Sequence, residues 1–238
     1  MPEEVRASGD CGKFDIRYSI FDIPGLRPGW YWLVQWSCRV FCIFFFRLRA
    51  YGTRNVPDYG GFILASNHQS FLDPVFCGVA LKRHLHFVAR DSLFRNRFFA
   101  LLIHSLNAIP VKRDKPDVSS IKTVIAGLRQ GNVVCLFPEA TRTSDGRIRA
   151  FKPGFGLLCR QAEVPVVPVL IDGAFECWPR HKKIFSPGPV TVCYGPAITA
   201  EQAKNMSDRK LAELVTCTLR RMQNTCRVRH GKRPILYY

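Results

Sequence analysis

The sequence predicts an α/β fold in which a mostly parallel central sheet is flanked by helices. Short apolar runs alternate with helical patterns of apolar residues from Tyr51 onward. Three of the runs, at 62–65, 133–137 and 166–171, contain no charged residue, as expected of strands that are buried on both faces. Strands that alternate with helices favour a parallel sheet, because each helix carries the chain back across the sheet.

Each element is predicted from its own pattern of apolar residues. Short runs of apolar and β-branched residues predict strands at 62–65, 86–89, 109–111, 133–137, 166–171 and 190–194. Apolar residues at helical spacing predict helices at 74–81, 93–106, 118–128, 155–161 and 211–222. The helix at 118–128 has the fullest signals, because Pro116 lies near its start and Gly131 near its end.

An aromatic run at 30–46 precedes the first strand and predicts a helix that contacts a membrane. Seventeen residues span about 25 Å as a helix, whereas a bilayer core is about 30 Å thick. Arg39 in the middle would cost about 2.5–3.5 kcal/mol in a spanning helix. Trp30, Trp32 and Trp36 at the front favour a helix that lies at the membrane interface. A helix buried in the protein core is the alternative.

These patterns divide the chain into three parts, without an internal repeat or a low-complexity segment. Residues 1–50 form an N-terminal segment with the membrane-associated helix, and residues 51–198 form the α/β domain. Residues 199–238 form an amphipathic helix and a basic tail. A chain of 238 residues is long enough to bury a sizeable core.

The chain is strongly basic, with 35 lysines and arginines against 18 aspartates and glutamates and a formal net charge of +17. Such an excess indicates a polyanionic partner, either nucleic acid, anionic lipid headgroups or a phosphorylated substrate. The hydrophobic fraction of 47% excludes a disordered, collagen-like or coiled-coil protein. The ten cysteines form no C-x-x-C pair and the first residues contain no secretory leader, so we expect reduced thiols in a protein that faces the cytosol.

The first predicted strand runs into the segment Ser66–Pro74, which contains a histidine and an aspartate five residues apart. Ligands gather where the strands of such sheets end and the helices begin. Asp73 can hold one imidazole nitrogen of His68 and leave the other as a base for a hydroxyl group. Two simpler interpretations are that Asp73 caps the following helix and that His68 is structural. His86 and Asp91 have the same spacing, but His86 lies inside a predicted strand.

A second polar segment, Phe137–Thr143, also follows a predicted buried strand. Arg142 lies at this strand exit and has the planar guanidinium that binds phosphate groups through two parallel hydrogen bonds. Downstream, Arg147, Arg149 and Lys152 keep the region cationic. The segment therefore predicts a phosphate site, and a solvated basic loop is the alternative.

Four short blocks occur along the chain in a fixed order. They are Asn67–Asp73, Phe87–Leu93 continued by Asn107–Arg113, Phe137–Thr143 followed by Phe151–Gly154, and Val164–Val169. These blocks resemble those of the glycerophospholipid acyltransferases, a family best known for its 1-acylglycerol-3-phosphate acyltransferases. The first is similar to the family's Asn-His-x-x-x-x-Asp block and the third to Phe-Pro-Glu-Gly-Thr-Arg-Ser. The resemblance covers about residues 30–200.

The chain departs from the family pattern at four positions. Ala140 replaces the usual glycine of the third block, and Thr143 replaces the usual serine. Arg90 stands where lysine is common, and Asn107 stands where glycine is common. Because alanine is small, we expect the turn at Ala140 to survive on the condition that its φ is negative. The departures leave the reaction type unchanged and widen the choice of acyl acceptor.

The resemblance implies an O-acyltransferase that moves a fatty acyl group from acyl-CoA or acyl-carrier protein to the free hydroxyl of 1-acylglycerol-3-phosphate, making phosphatidate in phospholipid biosynthesis. His68 would deprotonate the hydroxyl and Asp73 would orient His68. The hydroxyl would attack the thioester directly, without a covalent acyl-enzyme. Arg142 would clamp the phosphate of the acceptor. The substrate-binding residues that the resemblance implies are Arg142, Glu139, Thr141, Arg113, Lys112, Arg90 and Lys152.

The resemblance also implies that no cofactor is needed besides the acyl thioester co-substrate. No metal site is expected, because His84 and His86 have no evident third ligand. The expected partners are an acyl thioester donor, a lysophospholipid acceptor and an anionic membrane surface, without nucleic acid. A membrane-associated protein, monotopic or peripheral, with its active site on the cytoplasmic side suits these partners.

Two alternative functions remain open. A member of the same family that acts on glycerol-3-phosphate or another lysolipid would share the blocks described above. A non-enzymatic basic module that binds membranes or nucleic acid belongs to another class. Two features speak against such a module. The charges are spread through the chain, and the aromatic residues mostly lie in apolar runs and are not interleaved with the charges.

Overall fold

A computed structural model describes residues 28–111 and 118–237 of the chain. Its helices are α1 (Pro28–Phe46), α2 (Asp73–Gly78), α3 (Arg97–Ser105), α4 (Val118–Arg129), α5 (Gly154–Ala162), α6 (Ala174–Cys177), α7 (Ala200–Lys204) and α8 (Asp208–Arg229). Its strands are β1 (Arg49–Tyr51), β2 (Phe62–Ser66), β3 (Leu85–Arg90), β4 (Ala108–Val111), β5 (Val133–Leu136), β6 (Val166–Asp172) and β7 (Thr191–Tyr194). Short 3-10 turns lie at Thr53–Asn55 and Asp91–Arg95.

The seven described strands form one sheet in the order β1-β7-β6-β2-β5-β3-β4. Neighbouring strands are parallel except β6 and β7, where Asp172 lies opposite Thr191. The three uncharged runs of the sequence are β6, β2 and β5, which lie side by side in the middle of the sheet. The predicted α/β class with a mostly parallel sheet is therefore confirmed.

The two faces of the sheet pack against different helices. Along β2, Ile63 and Ala65 point into a core that includes side chains of α4, α5 and α8. Phe62 and Leu64 point to the opposite face, where Phe46 of α1 is among the residues they pack with. This alternation follows from the period of two in a strand, and burial on both faces explains why the central strands contain only apolar and small side chains up to Asp172 at the end of β6.

The aromatic run at 30–46 lies in α1, as predicted, and one side of this helix packs against the sheet. Cys42 and Phe46 are completely buried, and the Gln35 side chain donates hydrogen bonds to two carbonyl oxygens near the end of α2. The other side of α1 faces solvent, with Trp36 65% exposed and Phe44 79% exposed. None of the helices in the described ranges combines the length and the hydropathy that a membrane crossing needs.

Some elements differ from their predicted bounds. The predicted helix at 93–106 is a 3-10 turn followed by α3, because the Asn96 side chain accepts a hydrogen bond from the Phe99 N–H and starts a new helix there. β1, α6 and α7 were not predicted, since three to five residues are too few to show a periodic pattern. The division into residues 1–50, 51–198 and 199–238 stays a prediction, and residues 1–27 lie outside the described ranges.

Close packing of α5 on the start of α8 generates a test of this architecture. A Cβ atom added to Gly156 would lie 2.4 Å from the Asp208 carbonyl oxygen, so Gly156→Ala should lower the free energy of unfolding by about 1–3 kcal/mol. A Cβ at Gly154, in the first turn of the same helix, meets no atom within 4 Å. Gly154→Ala should therefore change stability by less than about 0.5 kcal/mol in the same urea titrations. Equal effects of the two variants would contradict the packing described here.

Candidate active site

The candidate site lies at the edge of the sheet where the parallel strands β2, β3, β5 and β6 end. The loop 67–72 follows β2 and the loop 137–153 follows β5, its neighbour in the sheet. The Thr143 N–H donates a hydrogen bond of 2.8 Å to the His68 carbonyl oxygen and joins the two loops directly. The topology thus brings together the two polar segments that the sequence singled out.

Asn67 anchors the first loop to the sheet. Its side-chain amide donates to the Ile171 carbonyl oxygen at 2.9 Å and accepts from the Ile171 N–H at 2.8 Å. Asn67 is 1% exposed, so these two bonds replace the water that its amide would otherwise need. They extend the pairing of β2 with β6 by side-chain bonds and fix the point from which the next residue, His68, departs. The sequence analysis gave Asn67 no role of its own, although the residue stands directly after a buried strand.

His68 and Asp73 form a hydrogen-bonded pair. His68 Nδ1 lies 2.7 Å from Asp73 Oδ2, and the same oxygen accepts from the N–H groups of Gln69 at 2.5 Å and Ser70 at 2.7 Å. Three donors on one oxygen are the pattern of an ionised carboxylate, so the network assigns the proton of the imidazole to Nδ1. Within the described part of the chain, Nε2 makes no hydrogen bond, and 21% of the side chain is exposed. The arrangement leaves Nε2 able to accept a proton.

The ring of His68 is also held from one side. It stacks on Phe137, with ring centroids 4.3 Å apart and an angle of 25° between the planes. Phe137 is the first residue after β5, so the strand next to β2 determines the position of the Phe137 ring. Phe137 thus fixes one face of the imidazole ring, and Asp73 fixes the position of Nδ1.

The interpretation of Asp73 as the cap of the following helix is wrong. Helix α2 begins at Asp73, with Pro74 next to it, and no side chain caps its first turn. The carboxylate points back to the N–H groups of Gln69 and Ser70 in the preceding loop. Asp73 is completely buried, and its second oxygen, Oδ1, has no hydrogen-bond partner in the described ranges. The residue therefore shapes the loop that carries His68.

Glu139 joins the two loops through hydrogen bonds to the backbone. Its Oε1 accepts from the His68 N–H at 3.0 Å, and its Oε2 accepts from the Arg149 N–H at 3.2 Å. Burial raises the pKa of Glu139 to about 7, although these two backbone donors and the nearby Arg149 act in the opposite direction. Glu139 is 6% exposed, and both oxygens of its carboxyl group accept hydrogen bonds from backbone N–H groups. Glu139 therefore positions the turn by binding backbone N–H groups of both loops.

Arg142 is the centre of a group of three arginines. Its guanidinium carbon lies 3.5 Å from the centre of the Phe71 ring, and its buried Nη1 has no hydrogen-bond partner in the described ranges. Burial lowers the pKa of Arg142, and the nearby charges of Arg180 and Arg90 lower it further, whereas Asp73 opposes them. Three neighbouring cations with an unsatisfied donor are typical of a site for an anion.

Arg180 is a site residue that sequence reasoning missed. It lies in the loop after α6, two residues beyond Trp178, whose ring contacts Phe71 at 5.5 Å between centroids. None of the four sequence blocks contains this loop, so no pattern along the chain pointed to it. Its charge near Arg142 is visible only in three dimensions.

The remaining predicted site residues have different surroundings. The Thr141 hydroxyl donates a 3.3 Å hydrogen bond to the Arg142 carbonyl oxygen, within the turn itself. The side chain of Lys152 is exposed, and its N–H donates to the Pro138 carbonyl oxygen at 3.2 Å. Lys112 and Arg113 lie outside the described residues. The structure thus gathers His68, Asp73, Glu139, Thr141, Arg142 and Arg90 at one edge of the sheet.

Two of the departures from the family pattern fall at left-handed backbone positions. Ala140 has a φ of 62°, so the condition of a negative φ is not met. This conformation favours glycine and costs an L-residue about 1–2 kcal/mol. Asn107 has a φ of 61°, which asparagine tolerates better than most residues. Glycine and asparagine are therefore physically equivalent at 107, whereas Ala140 introduces strain beside the site.

The third departure, Thr143, is explained by a hydroxyl group that serine shares. Its Oγ1 donates toward the Arg147 carbonyl oxygen at 2.9 Å and lies 3.0 Å from Asp145 Oδ1. The residue is 1% exposed, so the extra methyl group of threonine is accommodated inside the turn. The hydroxyl closes the loop 143–147 in the way a serine could.

The second histidine with an aspartate five residues further on, His86, lies within β3 and outside the site. No group of three or more potential metal ligands occurs among residues 28–111 and 118–237. His86 lies in β3, is 8% exposed, and burial lowers its pKa to about 4. Because it stays neutral and lies within a strand, His86 is the natural control for His68.

The unusual pKa of Glu139 generates a prediction about stability. The folded protein holds the proton of this carboxyl group up to about pH 7, whereas the ordinary pKa is 4.5. The folded state therefore binds more protons in this interval, and its contribution to stability is lost as the pH rises from about 4.5 to 7. We expect the free energy of unfolding of the wild type to fall relative to that of Glu139→Gln across this interval. Urea titrations at several pH values measure the difference.

The variant Glu201→Gln serves as the control, because Glu201 is exposed on α7. Its stability should run parallel to that of the wild type over the same pH range. A parallel course for Glu139→Gln as well would mean that the carboxyl group is already ionised at pH 5.

Comparison with known proteins supports an enzymatic role for this site. The model of the Acyltransferase family matches residues 47–172, which include β1 to β6 and every described site residue named above except Arg180. The 1-acyl-sn-glycerol-3-phosphate acyltransferase of Bacillus subtilis is 30% identical over 178 residues, covering 74% of this chain and 86% of the relative. The human 1-acyl-sn-glycerol-3-phosphate acyltransferase beta is 30% identical over 167 residues, covering 67% and 59%.

Other comparisons extend over part of the relative or concern the fold alone. The chain spans about half the length of the chloroplastic 1-acyl-sn-glycerol-3-phosphate acyltransferase of Arabidopsis thaliana, at 29% identity and 49% coverage of that protein. The crystal structure of the 1-acyl-sn-glycerophosphate acyltransferase from Thermotoga maritima has the same fold, with a TM-score of 0.69, 24% identity, and coverage of 85% and 83%. The family match over more than half of the chain and the bacterial relative together establish that this chain belongs to the acyltransferase family.

Proposed function

We propose that the protein transfers a fatty acyl group from a thioester to the free hydroxyl of 1-acylglycerol-3-phosphate and so makes phosphatidate. The pair of His68 and Asp73 beside the arginine group around Arg142 carries this proposal. A proton acceptor next to a cationic cluster suits an acceptor that has both a hydroxyl and a phosphate group. The curated relatives of the chain bear the name of this activity.

In this mechanism His68 is the general base. Its Nε2 takes the proton of the acceptor hydroxyl while the hydroxyl oxygen attacks the carbonyl carbon of the thioester. The carbon–sulfur bond then breaks, and the leaving thiolate receives the proton from His68, so that an ester and a free thiol result. Asp73 accepts from Nδ1 throughout and stabilises the imidazolium that forms. The thioester is already activated, so the step needs neither a cofactor nor a covalent acyl-enzyme.

The acceptor's phosphate is proposed to lie against Arg142. The buried Nη1 of this residue lacks a partner among the described residues, and a phosphate oxygen would satisfy it. Arg90 and Arg180 add two further positive charges. A phosphate monoester carries a charge of about −1.5 to −2 at neutral pH, so it matches three cations better than the single charge of a phosphodiester headgroup. This argument favours lysophosphatidate over other lysophospholipids.

The donor is proposed to be acyl-CoA or acyl-carrier protein. Both present the acyl group as a thioester of the same kind, and the chemistry of His68 is identical for the two. The strong positive charge of the chain suits either donor, because both are anionic.

The protein is further proposed to attach to the membrane surface on its cytoplasmic side, without crossing it. The acceptor is an amphiphile that resides in the bilayer, so the site has to reach the lipid surface. Trp30, Trp32 and Trp36 of α1 are 41%, 43% and 65% exposed, as suits side chains at the level of lipid headgroups. No nucleic acid is invoked, since the arginines of the site are accounted for by the acceptor.

An assay of the purified protein with oleoyl-CoA and a panel of acceptors tests this function. Release of free thiol should be fastest with 1-acylglycerol-3-phosphate, slower with glycerol-3-phosphate and slowest with lysophosphatidylcholine. His68→Ala should lower the rate by about 10²–10⁴-fold, as expected for the loss of a general base. Preference for glycerol-3-phosphate would replace the proposed acceptor with the smaller one.

His86→Ala is the matched control for this variant. His86 is buried in β3 and has the same spacing to an aspartate, Asp91, as His68 has to Asp73. The control should keep most of its thiol release after correction for folded protein by circular dichroism. Equal losses in both histidine variants would show that His68 acts through the fold.

Substitution of Arg142 tests the phosphate site separately. Arg142→Ala should raise the KM for lysophosphatidate about 10-fold or more and leave the KM for acyl-CoA nearly unchanged, because only the acceptor's phosphate loses a charge-assisted bond. Arg142→Lys should restore part of the affinity, since an ammonium group supplies the charge without the planar fork. A change confined to the KM for acyl-CoA would assign Arg142 to the donor instead.

A further inference from the structure

Helix α3 exposes an unusual amount of apolar side chain for a helix of nine residues. Phe98 is 89% exposed and Leu101 71%, and Phe99 and Leu102 are 44% and 43% exposed. Ile103 is the one buried residue of the helix. Single exposed apolar residues are common, but a contiguous group of four large ones indicates a surface that another body covers.

This helix lies beside the aromatic helix α1. The Trp30 indole N–H donates a 3.3 Å hydrogen bond to the Ser105 hydroxyl at the end of α3. Tyr31 of α1 accepts a 2.9 Å hydrogen bond from the N–H of Leu85, at the start of the strand that leads to α3. We call the exposed apolar residues of both helices the apolar surface; they are Trp30, Trp32, Leu33, Trp36, Ile43, Phe44, Phe45, Phe98, Phe99, Leu101 and Leu102.

The charges around the apolar surface are all positive within the two helices. Neither α1 nor α3 contains an aspartate or a glutamate. Arg39 in α1 and Arg97 at the first position of α3 are exposed, and the turn before α3 carries the exposed Arg95 together with the exposed Asp91. Apolar side chains bordered by exposed arginines complement the interface of an anionic bilayer, where the cations meet headgroups and the aromatic rings meet acyl chains.

The end of α1 and the start of α3 lie near the sheet edge that carries His68, whereas the start of α1 lies beside the start of β3, at the opposite edge. The Val190 N–H donates to the Phe46 carbonyl oxygen at 2.9 Å, which ties the end of α1 to the start of β7, and β7 starts opposite Asp172, the last residue of β6. Helix α3 follows the last residue of β3, Arg90, after one 3-10 turn. A bilayer that covers the apolar surface would therefore adjoin the edge at which the parallel strands end.

We propose that α3 is a second membrane-inserting element, which enters the interface of an anionic bilayer beside α1 and holds the His68 edge at the lipid surface. The insertion rests on the apolar surface and its arginines alone; only its use, the delivery of a lipid acceptor to His68, rests on the proposed function. Sequence reasoning had assigned the membrane contact to the segment 30–46 and had treated the region of α3 as an ordinary helix.

Flotation of the full chain with vesicles of phosphatidylglycerol and phosphatidylcholine tests the insertion. The double variant Phe98→Ser, Leu101→Ser should lower the partition coefficient about 10-fold or more, since two largely exposed apolar side chains lose their contact with acyl chains. The matched control is Leu214→Ser, Val228→Ser on α8, where the two side chains are 40% and 60% exposed. The control should bind as the wild type does.

Two outcomes would overturn the proposal. The first is equal vesicle binding by the double variant and the wild type, because α3 would then have no role at the membrane. The second is a wild type that is a dimer in solution and that the double variant converts to a monomer, because a second copy would then be the occupant of the apolar surface. Size-exclusion chromatography with light scattering of the same samples measures the second outcome.

Activity measurements separate this proposal from the proposed function. With a short-chain lysophosphatidate dissolved as a monomer, the double variant should release thiol at the rate of the wild type. With lysophosphatidate embedded in vesicles, it should lose activity in proportion to its lost binding. If flotation of the wild type depends on Phe98 and Leu101 but thiol is released from acyl-CoA with none of the acceptors, the membrane insertion of α3 is supported and the proposed function is wrong.

Discussion

The site depends on one buried carboxylate. Asp73 is completely inaccessible to water, so its oxygen Oδ2 has to find its donors inside the protein. Two of them are the consecutive N–H groups of Gln69 and Ser70, which forces the chain to turn tightly around the carboxylate. The third is Nδ1 of His68. A single desolvated anion thus shapes the loop, chooses the tautomer of the imidazole and directs its other nitrogen outward.

The loops around this carboxylate are irregular, yet side chains give them the order that a helix or strand would give. Asn67 bonds both polar groups of the Ile171 backbone, and Glu139 accepts from the N–H groups of His68 and Arg149, which lie 71 and 10 residues from it along the chain. Each of these bonds satisfies a backbone group that the turn would otherwise leave unpaired. The parallel sheet contributes the common edge, and these polar side chains convert that edge into a fixed geometry.

Much of this arrangement could be predicted from the sequence. Uncharged apolar runs have few explanations other than central strands, and the prediction that strands and loops meet at one edge follows from parallel connectivity alone. The short strand β1, the antiparallel direction of β7 and the contribution of Arg180 could not be predicted. The three residues of β1 are too few to show a periodic pattern, and the apolar pattern of β7 does not indicate whether the strand is parallel or antiparallel. Arg180 comes close to Arg142 only after the chain has folded.

The role of Asp73 illustrates where local patterns mislead. An aspartate followed by proline at the start of a helix is a good capping signal, and the local pattern alone does not tell a carboxylate that faces forward from one that faces back. The energetic choice is made by burial, because the preceding loop offers two backbone donors and an imidazole where the first turn of α2 offers none to this side chain. The strained φ of Ala140 is a second property that could be recognised only once the backbone was known.

The same reasoning shows why the arginine group around Arg142 suits an anion. A cation that loses water without gaining a partner is costly, and Arg142 holds one buried donor without a partner in the described part of the chain while two other arginines stand nearby. The Phe71 ring, 3.5 Å from its guanidinium carbon, offsets part of this cost through a cation–π contact but supplies no acceptor. An arriving phosphate would relieve both the missing bond and the repulsion among the arginines. Affinity for the acceptor would then derive partly from the unpaired donor and the repulsion within the arginine group, beside the loop whose shape Asp73 determines.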